Sequence, residues 1–358
     1  MEKLRKLEGR GKLSAARRYL NFTGRYVTWK KILNVCLIEF EKFLKRPCVR
    51  GKPYVLVLES TNLCNLRCPG CLTGIGKNPV PEGQMTFGEF KSIIDDVGDY
   101  LILAKLDGVG EPLINKDIYK MIGHAHGRGV GTTFSTNFLL FSEEDAERLI
   151  KAGLDHLTIA VDGVTQATYA KYRVGGELAK VLNNVKVLLR KREELGVSHP
   201  IVELQFIIFD HNEHELPQIE KLALELGVDR LYIQESIARR LRARKPNLGK
   251  TKACYWLWNV ISINWNGDYK SCSRGFISRF SLGNTRYQSP KEVWNNQSYR
   301  MLRALSARGE HPCANAIERI APEYRCEQAN SYFQQANSDP GPVNGASNTN
   351  CHVKRHEV

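Results

Sequence analysis

Cys64-Asn-Leu-Arg-Cys68-Pro-Gly-Cys71, directly after the apolar run Tyr54-Val-Leu-Val-Leu-Glu59, sets the terms for the whole 358-residue chain. Three cysteines spaced x3 and then x2 can ligate three irons of a cubane cluster and leave its fourth iron open. The run before them reads as a buried parallel strand, so the cysteines fall on the loop at its C-terminal end. Barrel enzymes keep their active sites on such loops. Zinc is the competing reading. Zinc ribbons, however, pair Cys-x2-Cys elements, and only Cys68 and Cys71 form such a pair here. The three-residue gap and the lack of a nearby histidine favour a three-thiolate iron-sulfur site.

Outward from this loop, strand-like runs recur at 54–59, 101–107, 130–136, 156–161, 201–208 and 230–233, with helical patterns between them. Thr86 opens one helix, and Ser142 with Glu143, Glu144 and Asp145 forms a capped, acidic first turn for another. Residues 178–195 and 214–226 continue the alternation. The fold class is therefore α/β. Six such units predict a partial, open (β/α)6 barrel with its helices outside.

The Cys64, Cys68 and Cys71 loop resembles the signature of the radical S-adenosylmethionine (SAM) superfamily. Two further segments match: Gly108-Val-Gly110-Glu111-Pro112 after the second strand, and Phe134-Ser135-Thr136-Asn137 at the end of the third. The resemblance implies a [4Fe-4S] cluster with an open iron, SAM bound on that iron, and an electron donor such as flavodoxin or ferredoxin. It also implies that Gly108, Gly110 and Glu111 approach the methionine amino group and that Ser135 and Asn137 approach the ribose. Arg173 is a candidate for the SAM carboxylate, with a surface arginine as the alternative. Where many members carry an aromatic residue before the third cysteine, this chain has Gly70, whose backbone alone is left to face the adenine.

Beyond residue 253 the pattern becomes a hairpin, Val260–Asn264 and Tyr269–Cys272 around Asn266-Gly267, and then a helix from Ser289-Pro290 to about Leu305. Cys254, Gly267 and Cys272 in a Cys-x12-Gly-x4-Cys pattern, with Cys313 and Cys326 beyond, resemble the SPASM and Twitch modules of the same superfamily. The resemblance implies an auxiliary [4Fe-4S] cluster, although spacing alone leaves four-thiolate zinc open. Ala316 and Pro322 stand where a second auxiliary cluster would need cysteines, so one is expected. An auxiliary cluster can accept the electron left by hydrogen abstraction, which makes oxidation attractive. Asp162, Gln205, Gln234 and Glu235, at or near strand ends, are candidates for substrate contact or proton removal, with ordinary strand-end hydrogen bonding as the alternative. His124 and His126 read as solvated residues at a helix end.

The formal charge of +14 is concentrated at the N-terminus, where residues 1–58 hold fifteen Lys or Arg against four Glu. From Thr28 to Lys45, apolar Trp29, Ile32, Leu33, Cys36, Leu37, Phe40 and Leu44 recur at helical spacing. That stripe is expected to dock on the barrel, with peripheral contact to an anionic membrane as the alternative. Ten cysteines without an apolar leader suggest a reducing cytoplasm, and no run suits a transmembrane helix. The expected organisation is a basic extension over 1–53, the barrel over 54–236 and a basic linker over 237–253. A cluster module over 254–332 and a polar, low-complexity tail over 333–358 complete it. The basic linker favours a small or anionic substrate such as a sugar, nucleotide or lipid precursor; peptide modification is the second reading. A non-catalytic membrane or nucleic-acid binder is the third. No aromatic-rich basic platform accompanies the charge, so nucleic acid is not expected as a partner.

Overall fold

The computed structural model describes residues 24–78, 80–236, 253–272 and 281–309. A helix, α1 (Trp29–Phe43), precedes strand β1 (Val55–Leu58), and α2 (Phe87–Val97) leads to β2 (Leu103–Lys105). The alternation continues with α3 (Ile118–Gly127), β3 (Gly131–Thr136), α4 (Glu143–Ala152) and β4 (His156–Ala160). Helices α5 (Gln166–Tyr172) and α6 (Leu178–Glu194), strand β5 (Ile201–Ile208), α7 (Leu216–Leu226) and β6 (Arg230–Glu235) complete it. Then come α8 (Tyr255–Asn259), the hairpin strands β7 (Val260–Ile263) and β8 (Tyr269–Lys270), α9 (Pro290–Val293) and α10 (Gln297–Ala307).

The six strands β1 to β6 are parallel and adjacent in chain order, as an open barrel requires, and they do not close on themselves. The hairpin is not a separate layer. Strand β7 pairs in parallel with β1, Val55 opposite Val260 through Leu58 opposite Ile263, and β8 follows antiparallel, so one eight-stranded sheet runs through both modules.

Strand alternation divides the residues cleanly. Leu56, Leu58, Phe134, Leu157, Leu204 and Phe206 face the helices and are buried in the main core. Across β3 to β5 the opposite, inner face is polar: Thr133 meets His156 Nδ1 at 3.0 Å, and the Thr158 hydroxyl donates to Glu203 at 3.4 Å. On β1 and the start of β7 the same face is apolar, with Val57 and Val260 packed beside Val55.

Two expectations are corrected. The helix read from Ser289 to about Leu305 is two helices, because Asn295 turns its side chain to the Val49 backbone and Asn296 caps α10 through the Tyr299 amide at 3.0 Å. The histidines at the end of α3 are not merely solvated caps: His126 Nδ1 lies 2.9 Å from the Tyr26 hydroxyl, and His124 Nε2 lies 2.9 Å from Asp95. Burial lowers the pKa of His126.

The larger correction concerns α1. It does dock on the barrel, but with its polar side. Lys31, Asn34 and Glu41 are buried beside Ile38, whereas Trp29 is 80% exposed, Leu33 68%, Phe40 56% and Phe43 80%. Lys31 Nζ donates to the Gly129 carbonyl at 2.5 Å, Asn34 exchanges hydrogen bonds with the Lys52 backbone, and Glu41 accepts from the Arg50 and Gly51 amides at 2.8 and 2.9 Å. Glu41→Ala would strand those amides in a buried site, and we expect a loss of about 2–3 kcal/mol and a clearly lowered Tm by calorimetry. Phe43→Ser on the outward side is expected to leave Tm nearly unchanged.

Candidate active site

Three thiols stand on one tightly folded loop. The Cys71 amide donates to the Cys68 carbonyl at 3.1 Å, and Ile75 donates back to Cys71 at 3.0 Å. Gly74 makes this turn possible, since a Cβ there would lie 2.5 Å from the Cys68 carbonyl oxygen. Burial pushes the Cys64 thiol up, and it pushes Cys68 up to about 11. Such thiols are poor free thiolates and need a strongly bound metal to hold them deprotonated.

Three other segments reach these sulfurs. Asn137 Nδ2 lies 3.9 Å from Cys64 Sγ, Arg173 Nη1 4.0 Å from Cys68 Sγ, and the Val109 carbonyl 3.8 Å from Cys71 Sγ. The structure thus brings the cysteine loop, the Gly108 to Pro112 segment, the end of β3 and the residue after α5 to one place.

Glu111 sits at the centre of this convergence. Its carboxylate accepts from the Thr136 hydroxyl at 2.6 Å, the Asn137 amide at 2.7 Å and the Leu113 amide at 3.2 Å, while its own amide donates to Leu63 at 2.7 Å. Burial nevertheless outweighs these bonds and raises its pKa to about 7. A buried carboxylate in that state is suited to receive an ammonium group.

The two glycines before Glu111 are required by close approach. A Cβ at Gly108 would lie 2.5 Å from the Glu59 carboxylate, and one at Gly110 would lie 2.2 Å from the Thr61 carbonyl oxygen. Arg173 is held by Asp162 through Nε and Nη2, both at 2.6 Å, and Asp162 also accepts from the Ile207 amide at 2.8 Å. The neighbouring Asp162 charge keeps the Arg173 pKa raised despite burial. Asp162 is therefore already engaged by an ion pair and a backbone amide.

The other candidates separate by strand face. Gln205 lies opposite Tyr232, and the Tyr232 hydroxyl donates to Gln234 at 3.3 Å, placing these three on the inner face. Glu235 shares the opposite alternation with Leu231 and Ile233, two residues of the main core and its margin, so it is set apart from Gln205 and Gln234. Ser135 donates its amide to Asp107 at 2.8 Å. Cys254 and Cys272 fall on either side of the hairpin, Cys272 buried and Cys254 half-buried with its pKa raised by burial. Cys313, Cys326 and the basic run from Arg239 to Lys252 lie outside the described residues.

Sequence reading missed Tyr172 and Glu59. The Tyr172 ring covers Gly70, 3.2 Å from where a Cβ would stand, and stacks at a tilt on Phe209 with centroids 4.3 Å apart. An aromatic surface absent from the cysteine loop is thus supplied from α5. Glu59 accepts from the Val109 amide at 3.1 Å, and burial outweighs this bond and the nearby Trp265 backbone and Lys270 to raise its pKa to about 7. Its position directly after an apolar strand was the available signal.

The family profile of the radical SAM superfamily matches residues 58–223, and that of an iron-sulfur cluster-binding domain, SPASM, matches residues 254–315. The chain belongs to the radical SAM superfamily and carries a C-terminal SPASM module. Its cofactors are accordingly a [4Fe-4S] cluster, SAM and an auxiliary iron-sulfur cluster. The thiol loop and the uncompensated Glu111 carboxylate fit the first two.

A tungsten-containing aldehyde ferredoxin oxidoreductase cofactor-modifying protein of Pyrococcus furiosus is 24% identical over 318 residues, covering 75% of this chain and 88% of that protein. A PqqA peptide cyclase of Rhodopseudomonas palustris is 31% identical over 187 residues, 51% of this chain and 47% of the relative. A pre-heme d1 synthase of Dinoroseobacter shibae is 28% identical over 189 residues, 52% and 45% of the two chains. The chain spans about half the length of these last two relatives. In fold it resembles Streptococcus suis SuiB bound to SAM, with a TM-score of 0.59 at 16% identity over 74% of this chain and 70% of SuiB. It also resembles anSMEcpe with bound AdoMet, with a TM-score of 0.53 at 13% identity over 79% and 96%.

Glu59 gives a pH signature to the iron-free protein. A carboxyl whose pKa rises on folding stabilises the fold below its unfolded value near 4.5, and that contribution is lost as pH rises through about 7. Glu59→Gln is expected to flatten the fall in Tm between pH 5 and pH 8, by on the order of 2 kcal/mol in stability.

Proposed function

We propose that the protein is an oxidoreductase that cleaves SAM reductively and uses the released 5′-deoxyadenosyl radical to take a hydrogen atom from a carbon of a polar substrate. The observation that carries this reading is the approach of Asn137, Arg173 and Val109 to the three cysteine sulfurs. In this reading Cys64, Cys68 and Cys71 hold the first cluster. Glu111 takes the SAM ammonium group, Arg173, aimed by Asp162, takes the carboxylate, and Ser135 and Asn137 serve the ribose. Tyr172 replaces the missing aromatic contact over Gly70.

Substrate would lie against the polar inner face, where Gln205 and Gln234 offer hydrogen bonds. Glu59, with a pKa near neutrality, is suited to accept the proton released on oxidation. Cys254, Cys272, Cys313 and Cys326 are our assignment for a single auxiliary cluster that receives the remaining electron, and a flavodoxin or ferredoxin is the class of donor for the first.

We favour a small polar substrate because the inner face across β4 to β6 presents Glu203, Gln205 and Gln234. Peptide modification stands beside it, supported by the 31% identity to a PqqA peptide cyclase and by SuiB having been solved with its precursor peptide SuiA. No helix among the described residues is long and apolar enough to cross a membrane, and our reading is a cytoplasmic protein.

Reconstituted protein is expected to hold about eight irons per chain, and Cys64→Ala/Cys68→Ala/Cys71→Ala about four. With dithionite and SAM the native chain should form 5′-deoxyadenosine and the triple variant none; equal yields from both would refute the assignment. Asp162→Asn should weaken SAM binding by roughly tenfold through a loosened Arg173 while leaving iron content unchanged.

A further inference from the structure

We infer that the outward stripe of α1 is a docking surface for an anionic lipid bilayer. Trp29, Leu33, Phe40 and Phe43 project from a helix whose polar residues are tied down, so the stripe cannot be buried by rolling α1 without breaking the Glu41, Asn34 and Lys31 bonds. Exposed apolar area of this extent calls for a partner.

The geometry and the charge choose which one. Along a strip about 22 Å long, Trp29, Phe40 and Phe43 alone expose on the order of 400 Å² of apolar surface. A stable protein pair buries about 800 Å² and about 20–30 residues per partner, more residues than one face of a single helix supplies. A bilayer needs no such area, because an apolar helix face sinks into the headgroup boundary and adjacent basic residues add attraction to anionic lipid.

Lys45, Arg46 and Arg50 are exposed just past the stripe, and the sequence before it, residues 1–23, holds seven Lys or Arg against two Glu. Two copies of so basic a region would repel each other. An anionic surface would attract both the charge and the stripe.

The docking also sets an orientation. Helix α1 is anchored to Gly129, Gly51 and Lys52, residues that precede β3 and β1, whereas the cysteine loop follows β1. A surface bound at α1 therefore lies at the N-terminal end of the barrel strands, with the SAM site at the other end. Within the function proposed above, this favours a water-borne substrate over a membrane-embedded lipid precursor.

The test is co-sedimentation of the full-length reconstituted protein with vesicles of phosphatidylcholine alone or with roughly one third phosphatidylglycerol, at about 0.05 M and about 0.5 M salt. The expected result is at least about tenfold stronger binding to the anionic vesicles, weakened by salt. Leu33→Ser/Phe40→Ser/Phe43→Ser should abolish that binding while 5′-deoxyadenosine formation persists, which separates this inference from the catalytic one.

Quenching by brominated lipid, compared between native protein and Trp29→Phe, gives an independent readout should the triple variant misfold. Loss of most quenching in Trp29→Phe supports the inference. Equal binding to both vesicle types, unchanged binding by the folded triple variant, or unchanged quenching in Trp29→Phe would overturn it. So would a dimer that the triple variant converts to a monomer, which would assign the stripe to a second copy.

Discussion

The buried carboxylate of Glu111 is the joint on which the site depends. It grips the Thr136 hydroxyl and Asn137 amide at the end of β3, while its own amide holds Leu63 on the approach to the cysteines. One residue thereby fixes the ends of three strands relative to one another. Burial outweighs these hydrogen bonds and raises its pKa to about 7. Such a residue suits a site that receives a cation, the role proposed for it above.

The same reasoning extends to Arg173, though its balance is different. Asp162 satisfies two of its nitrogens and leaves Nη1 directed at Cys68. The guanidinium is therefore both neutralised and aimed. Asp162, read from the sequence as a candidate to meet substrate, acts in this structure on the arginine and on the Ile207 amide. Its position at a strand end was visible; its commitment to a partner eleven residues later was not.

How much of the molecule could be read in advance follows a physical division. The cysteine loop, the two glycines before Glu111 and the strand alternation were legible because each is encoded within a few consecutive residues. Tyr172 over Gly70 was not, since the two are far apart in sequence and meet only after the barrel forms. Periodicity also revealed that α1 has an apolar side without revealing which side faces the protein. The deciding groups were the unpaired backbone amides of Arg50 and Gly51, which demand the Glu41 carboxylate more strongly than the barrel end demands a hydrophobic cover. Likewise, the Asn295-Asn296 break needed knowledge of Val49, a residue from the opposite end of the chain.

Strand β7 beside β1 has a consequence for the order in which the protein is assembled. During synthesis β1 emerges early, yet the neighbour on its outer edge, Val260–Ile263, is made some two hundred residues later. Until then one border of the nascent sheet carries unpaired backbone groups, an edge prone to mispairing. The SPASM hairpin is thus the piece that covers this edge, and the sheet reaches its full width only once the last strands have been made.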